Sequence, residues 1–161
     1  MSGSVFKVTR NGGDGTVMAA KLFKPSEWDS FHLEIEKQGS LDHPQILKLI
    51  DAYPDKVNGC VLVMELGKGQ DMKSYLLETE PEQFPKERVL NWFVQMATAV
   101  NYLHTEKFFV HLDLHNKNFM VEPSTDLITL LDFTTLRDLG PNGSIPGGQR
   151  HHFPPMFASP E

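Results

Sequence analysis

The chain has 161 residues, 40% hydrophobic and 22% charged, which suits one soluble globular domain with a real core. A net charge of −6 without a Lys/Arg cluster argues against nucleic acid or an anionic membrane as the main partner, because both reward basic patches. The single cysteine, Cys60, excludes an intrachain disulfide; no signal peptide opens the chain, and no apolar run approaches the roughly 20 residues that span a bilayer, so a cytoplasmic protein is expected.

In chain order, Val5 to Arg10 and Thr16 to Leu22 read as two strands joined by NGGDG, whose Asn, Gly and Asp residues supply the positive φ a hairpin turn needs. Ser26 is placed to cap a helix with Glu27 and Asp29 in its first turn. Its buried side carries Trp28, Phe31, Ile35 and Leu41, and Glu34 sits beside that side. His43-Pro44 ends this helix. QILKLI (45–50) and CVLVMEL (60–66) follow as strands, with Cys60 read as a buried structural thiol. After the Gly67 to Gly69 kink, Met72 to Leu77 reads as a short helix. Pro85 starts a longer one, in which Val89, Phe93, Met96, Val100 and Leu103 recur at three- and four-residue steps. Phe119 to Val121 and Leu127 to Leu131 read as a hairpin leading into Asp132-Phe133-Thr134. The stretch 140–148 is read as a surface loop.

Between the long helix and that hairpin lies FFVHLDLHNKNFMV (108–121), with His111, Asp113 and Asn118 in the order H-x-D-x-x-x-x-N. Apolar runs at both ends can bury while the polar middle stays exposed. Such a loop suits phosphoryl transfer, which needs a carboxylate to orient the attacking hydroxyl and a neutral oxygen ligand for Mg²⁺. His111 and His115 are four apart, but not on a helix, and no third ligand stands at a zinc spacing.

These residues resemble the eukaryotic protein kinase family, in order along nearly the whole chain. MAAK (18–21) resembles the third-strand V-A-I-K, Glu34 the helix-C partner of its lysine, and VMEL (63–66) the gatekeeper and hinge. DFT (132–134) resembles D-F-G, and SPE (159–161) resembles A-P-E. The HLDL variant is similar to the loops of myosin light chain kinases and of the titin and obscurin type. The resemblance implies an α+β, two-lobe fold: an antiparallel N-lobe sheet with helix C over residues 1–66, and a partial helical C-lobe over 67–161, together a truncated, incomplete domain. It implies that Lys21 holds the ATP phosphates and pairs with Glu34, that Asp113 orients the substrate hydroxyl, and that Asn118 and Asp132 hold Mg²⁺. Gly3 belongs to what remains of the glycine-rich lid. By the same resemblance, Val5, Ala19 and Met120 would sandwich the adenine, Met64 would be the gatekeeper, backbone groups of Glu65 and Leu66 would bond the adenine edge, and Asp71 could reach the ribose.

Several positions depart from the family pattern. The first strand and two glycines of the lid are absent from this chain, Leu112 replaces an arginine, and His115 stands where a lysine is usual. Thr134 replaces the D-F-G glycine and is expected to restrict Asp132. Pro154 replaces a threonine that steadies the catalytic Asp. Gln38 puts an amide where relatives pack an apolar residue against Leu49, His111 and Phe133; unpartnered, it costs about 1–3 kcal/mol. With no helix after SPE, the underside of the long helix is expected to expose an apolar patch. The implied function is ATP-dependent phosphoryl transfer to protein Ser/Thr, with weak or no turnover by this chain alone. Two alternatives stay open. One is a pseudokinase that serves as an interaction module for a docking partner; the other is a small-molecule kinase of the aminoglycoside or choline type, whose H-G-D-L-H-x-G-N loop resembles HLDLHNKN.

Overall fold

A computed structural model of the chain describes residues 4–12, 15–140 and 142–145. Gly3, His151-His152, Pro154 and the SPE ending lie outside the described residues, as does part of the 140–148 loop.

The first half is a four-stranded antiparallel sheet carrying one helix. β1 (Ser4–Thr9) and β2 (Val17–Phe23) pair with Val5 opposite Lys21. β4 (Cys60–Glu65) joins β2 with Met64 opposite Ala19, and β3 (Leu49–Tyr53) closes the order β1-β2-β4-β3. Helix α1 (Trp28–Gln38) lays Phe31 on this sheet against Phe23, Cys60 and Leu62, with Trp28 and Ile35 at the margin. Burying such side chains stabilises the layer by roughly 1.5–3 kcal/mol each.

Ser26 does not cap α1. Pro25–Glu27 forms a 3-10 turn with Ser26 exposed inside it, and the Glu27 carboxylate instead accepts the Lys24 N–H at 2.8 Å. Proline pre-sets the φ of a first helical turn, so the chain begins to coil before the serine. The strand expected at 45–50 also shifts, to 49–53. Its first residues are drawn to the other half: the Leu47 N–H donates to Leu130 at 3.1 Å, and the Leu130 N–H donates to Gln45 at 2.8 Å. Ile46 is buried there, while Leu47 packs with Ala19 and Met64.

The second half contains β5 (Gln70–Asp71), α2 (Met72–Glu78), α3 (Lys86–Thr105), β6 (Phe109–Val110), β7 (Phe119–Glu122), β8 (Leu127–Leu130) and β9 (Arg137–Asp138). β7 and β8 form the expected hairpin, β5 adds to β7, and β6 pairs with β9. Gly69, at φ 82, admits this pairing, because a Cβ there would stand 1.9 Å from the Val121 carbonyl oxygen.

Helix α3 buries Trp92, Ala99, Tyr102 and Leu103, a stripe rotated from the expected one. Trp92 joins Tyr75 and Phe84 in an edge-packed aromatic cluster, which sets the inward side. Val89, Met96 and Val100 are half-buried, whereas Phe93 is 62% exposed, with Leu90 and Val94 exposed beside it. Gln95, on the inner side, clamps the hairpin: its amide donates to the Asp126 carbonyl and accepts the Ile128 N–H. No helix among the described residues is long and apolar enough to cross a membrane.

Candidate active site

Lys21 sits in the middle of β2, where the strand is covered on both faces. Its Nζ donates to Glu34 Oε1 at 2.7 Å and Oε2 at 2.9 Å, and meets Asp132 Oδ1 at 3.4 Å. Three stretches far apart in sequence thus converge on one buried ammonium group. Burial pushes the Glu34 carboxyl up from its usual range, and Lys21 pulls part of that back. Burial would raise Asp132 too. There the Lys21 charge and the Thr134 hydroxyl and N–H prevail, and the carboxyl lies below its usual range.

The inward face of α1 is unusual in composition. Beside Phe31, its buried residues are Glu34, Lys37 and Gln38, because this face meets polar groups: Lys21 of β2, Asp138 and the Leu47 carbonyl. The Gln38 amide nitrogen donates to the Leu47 carbonyl at 3.1 Å, while its Oε1 has no hydrogen-bond partner among the described residues. The amide expected to be unpartnered is therefore half satisfied. Lys37 was not a sequence candidate. It bonds Asp138 at 2.6 Å and lies over the Phe109 ring, tying α1 to the β6–β9 pair; its three-residue step from Glu34 was the available signal.

The loop between β6 and β7 holds the second group. Asn118 donates through Nδ2 to the Asp113 carbonyl at 2.8 Å and to Asp113 Oδ2 at 3.1 Å, so the two candidate residues are locked together. His111 is buried underneath. It accepts the Asp113 N–H at Nδ1, at 3.3 Å, which leaves Nε2 to donate to the Leu131 carbonyl at 3.2 Å. Thr135, also missed by sequence reasoning, donates its hydroxyl to the His111 carbonyl at 2.6 Å. His115 accepts the Lys117 N–H at Nδ1, and its Nε2 lies 3.5 Å from Asp113 Oδ1.

Positive φ falls on Asp132 (57°) and Leu112 (65°), one in each loop, at a cost of about 1–3 kcal/mol apiece. Thr134 does not occupy that region. Its hydroxyl instead donates to Asp132 Oδ1 at 2.6 Å, which restrains the carboxylate directly. The bonds from Lys21 and Thr134 fall on Oδ1, and those from Asn118 leave through Nδ2. Among the described residues nothing bonds Asp132 Oδ2 or Asn118 Oδ1, and such hard oxygens suit Mg²⁺. Among the described residues no cluster of three or more His, Cys, Asp or Glu side chains suits a metal.

Of the residues expected around a nucleotide base, Ala19 and Met64 are buried with Leu47 and pack with Leu66, while Val5 stays exposed on β1. Met120 lies against Gly67, where a Cβ would come within 2.2 Å of its sulfur. Glu65 ends β4, and its N–H donates to the Lys48 carbonyl at 3.0 Å. Asp71 caps α2, accepting the Ser74 N–H at 3.0 Å and the Ser74 hydroxyl at 2.6 Å.

A buried Lys–Glu pair under a β-sheet, an Asp–Asn pair on a fixed loop and an aspartate between them are the features of a protein kinase fold, and comparison with known proteins agrees. The protein kinase domain model matches residues 1–161, and the chain belongs to that family. It is 31% identical over 147 residues to myosin light chain kinase, smooth muscle, of Gallus gallus, a match covering 89% of this chain and 8% of the relative. It is 30% identical to serine/threonine-protein kinase Nek11 of Homo sapiens, over 70% of the chain and 17% of the relative. Serine/threonine-protein kinase Nek6 of Oryza sativa subsp. japonica is 27% identical over 81% of the chain and 25% of its own length. The chain thus spans a quarter or less of these relatives.

Proposed function

We propose that this chain is a protein-kinase-type phosphotransferase acting on protein Ser or Thr hydroxyls, with low turnover by itself. Residues 1–66 would serve as the N-lobe and 67–161 as part of the C-lobe. The observation that supports this best is the convergence of Glu34 and Asp132 on Lys21, at 2.7 and 3.4 Å. A lysine fixed by a carboxylate presents its charge without wandering, and it loses little further entropy on meeting a polyphosphate.

ATP with Mg²⁺ supplies the transferable phosphoryl group. Lys21 would meet its phosphates, and Asn118 and Asp132 would hold the metal. Asp113, steadied by Asn118 and the buried His111, orients the incoming hydroxyl and accepts its proton. Ala19, Met120 and Val5 would line the base, with Met64, Glu65 and Leu66 along its edge and Asp71 towards the ribose; by resemblance Gly3 would be part of the phosphate lid.

A second reading, a docking module that retains the fold without turnover, is favoured by the 2.6 Å Thr134–Asp132 bond, which holds an oxygen of the metal-binding carboxylate. Two measurements separate the readings. Phosphorylation of casein with labelled Mg-ATP is expected, and Asp113→Asn should reduce it at least about a hundredfold; label transfer untouched by that change rejects the assignment. A thermal-shift titration with Mg-ATP should stabilise a nucleotide-binding domain, whereas a pure docking module responds only to a protein partner.

A further inference from the structure

An open groove of about 460 Å³ lies beside the Asp113–Asn118 loop, lined by Asp71, Lys73, Ser74, Leu77 and Lys117. Its walls come from two segments fixed to each other. Asp71 pairs with Met120 across β5 and β7, and the Lys73 N–H donates to the Asn116 carbonyl at 3.2 Å. Lys117 directly precedes Asn118 in the loop, yet it is exposed where Asn118 is buried, so its charge stands on the outer side of the site.

The charges in this groove are unevenly committed. Both oxygens of Asp71 are taken by Ser74, whose side chain and N–H hold the carboxyl below its usual range with help from Lys117. Lys73 and Lys117 are exposed and form no ion pair with any described residue. In a chain of net charge −6, two exposed lysines outnumber the one carboxylate of a groove next to the loop that would meet the substrate hydroxyl. Leu77, 76% exposed, adds an apolar edge.

We infer that this groove receives an anionic side chain of the protein substrate, a carboxylate or a phosphate, placed near the accepting hydroxyl. The inference rests on the phosphotransferase reading and adds the substrate class to it. Lys21 is buried in another sheet, so the nucleotide phosphates and this groove do not compete for the same cation.

The test uses the full chain and fluorescein-labelled decapeptides of alanine and glycine around one serine. Flanking positions carry Glu, phosphoserine, Gln or Arg. Anisotropy reads binding, and labelled Mg-ATP reads transfer to the same peptides. Exposed ion pairs with two lysines predict that the Glu and phosphoserine peptides bind at least about fivefold tighter than the Gln peptide, and the Arg peptide weaker. Lys73→Glu/Lys117→Glu should reverse that order, and Lys73→Gln/Lys117→Gln should flatten it if the reversal variant fails to fold. Equal binding of all four peptides, no measurable binding, or a preference that survives both variants overturns the inference. The phosphotransferase reading fails separately: acidic peptides that bind through the two lysines but accept no phosphate sink that reading and leave the groove's selectivity standing. A glutamate-favouring and a phosphoserine-favouring result distinguish the source of the anion, and either supports the groove.

Discussion

His111 shows how one side chain couples the loop to stability. It is buried and accepts the Asp113 N–H at Nδ1, so protonation there destroys a hydrogen bond and strands a charge. Burial lowers its pKa from 6.5, opposed by the Leu131 carbonyl, Asp132 and Asp113. A group whose pKa is depressed by folding contributes its full stability above the unfolded value and loses it as pH falls. Stability should therefore decline as pH drops from about 6.5, by at most about 1.4 kcal/mol per pH unit for this one group. Thermal melts at pH 7.5 and 5.5 check it, with His111→Gln flattening the difference; His43, also lowered by burial, leaves a smaller residual slope. An unchanged slope in His111→Gln assigns the effect elsewhere. The pairings of Lys21 with Glu34, implied by the family resemblance, and of Asp113 with Asn118 were legible because these residues stand at the spacing of known motifs. Lys37 and Thr135 were not, since an ordinary lysine and threonine gain meaning only from what they touch.

At the scale of elements, α1 and the β5–β7 junction carry the strain and the compensation. Gln38→Met exchanges one orphan for another: the unpaired Oε1 disappears, but the Leu47 carbonyl loses its donor. The expected change in stability is below about 1 kcal/mol, measured by urea denaturation. A gain of several kcal/mol would show that the Leu47 bond contributes nothing. Gly69→Ala should cost at least about 2 kcal/mol, because it combines positive φ with a backbone collision at Val121. The rotated stripe of α3 and the displaced β3 share a cause. Periodicity records which residues are apolar, but not which of two available surfaces wins them, and here Trp92 and Ile46 were taken by the second half.

For the molecule as a whole, the two halves meet through polar contacts as well as apolar ones. Lys21–Asp132, Lys37–Asp138 and Gln38–Leu47 join α1 and its sheet to segments more than a hundred residues away or across the bend after α1. Removing one partner of a buried pair such as Lys21–Glu34 characteristically costs about 3–5 kcal/mol, so this seam also couples the site to folding. The outer face of α3 is different, since Leu90, Phe93 and Val94 contribute little to the fold as described. Phe93→Ser is expected to change the unfolding free energy by less than about 0.5 kcal/mol. A larger loss would mean that Phe93 packs in solution.

Sequence alone was enough for the main helices, the β1–β2 and β7–β8 hairpins, the family resemblance and the candidate groups for phosphoryl transfer, because hydrophobic period, turn residues and motif spacing are local properties of the chain. Tertiary structure decided which side of α3 is buried and how Gln38 is half satisfied. Each of these depends on competition between partners distant in sequence, and only folding brings those partners within reach of one another.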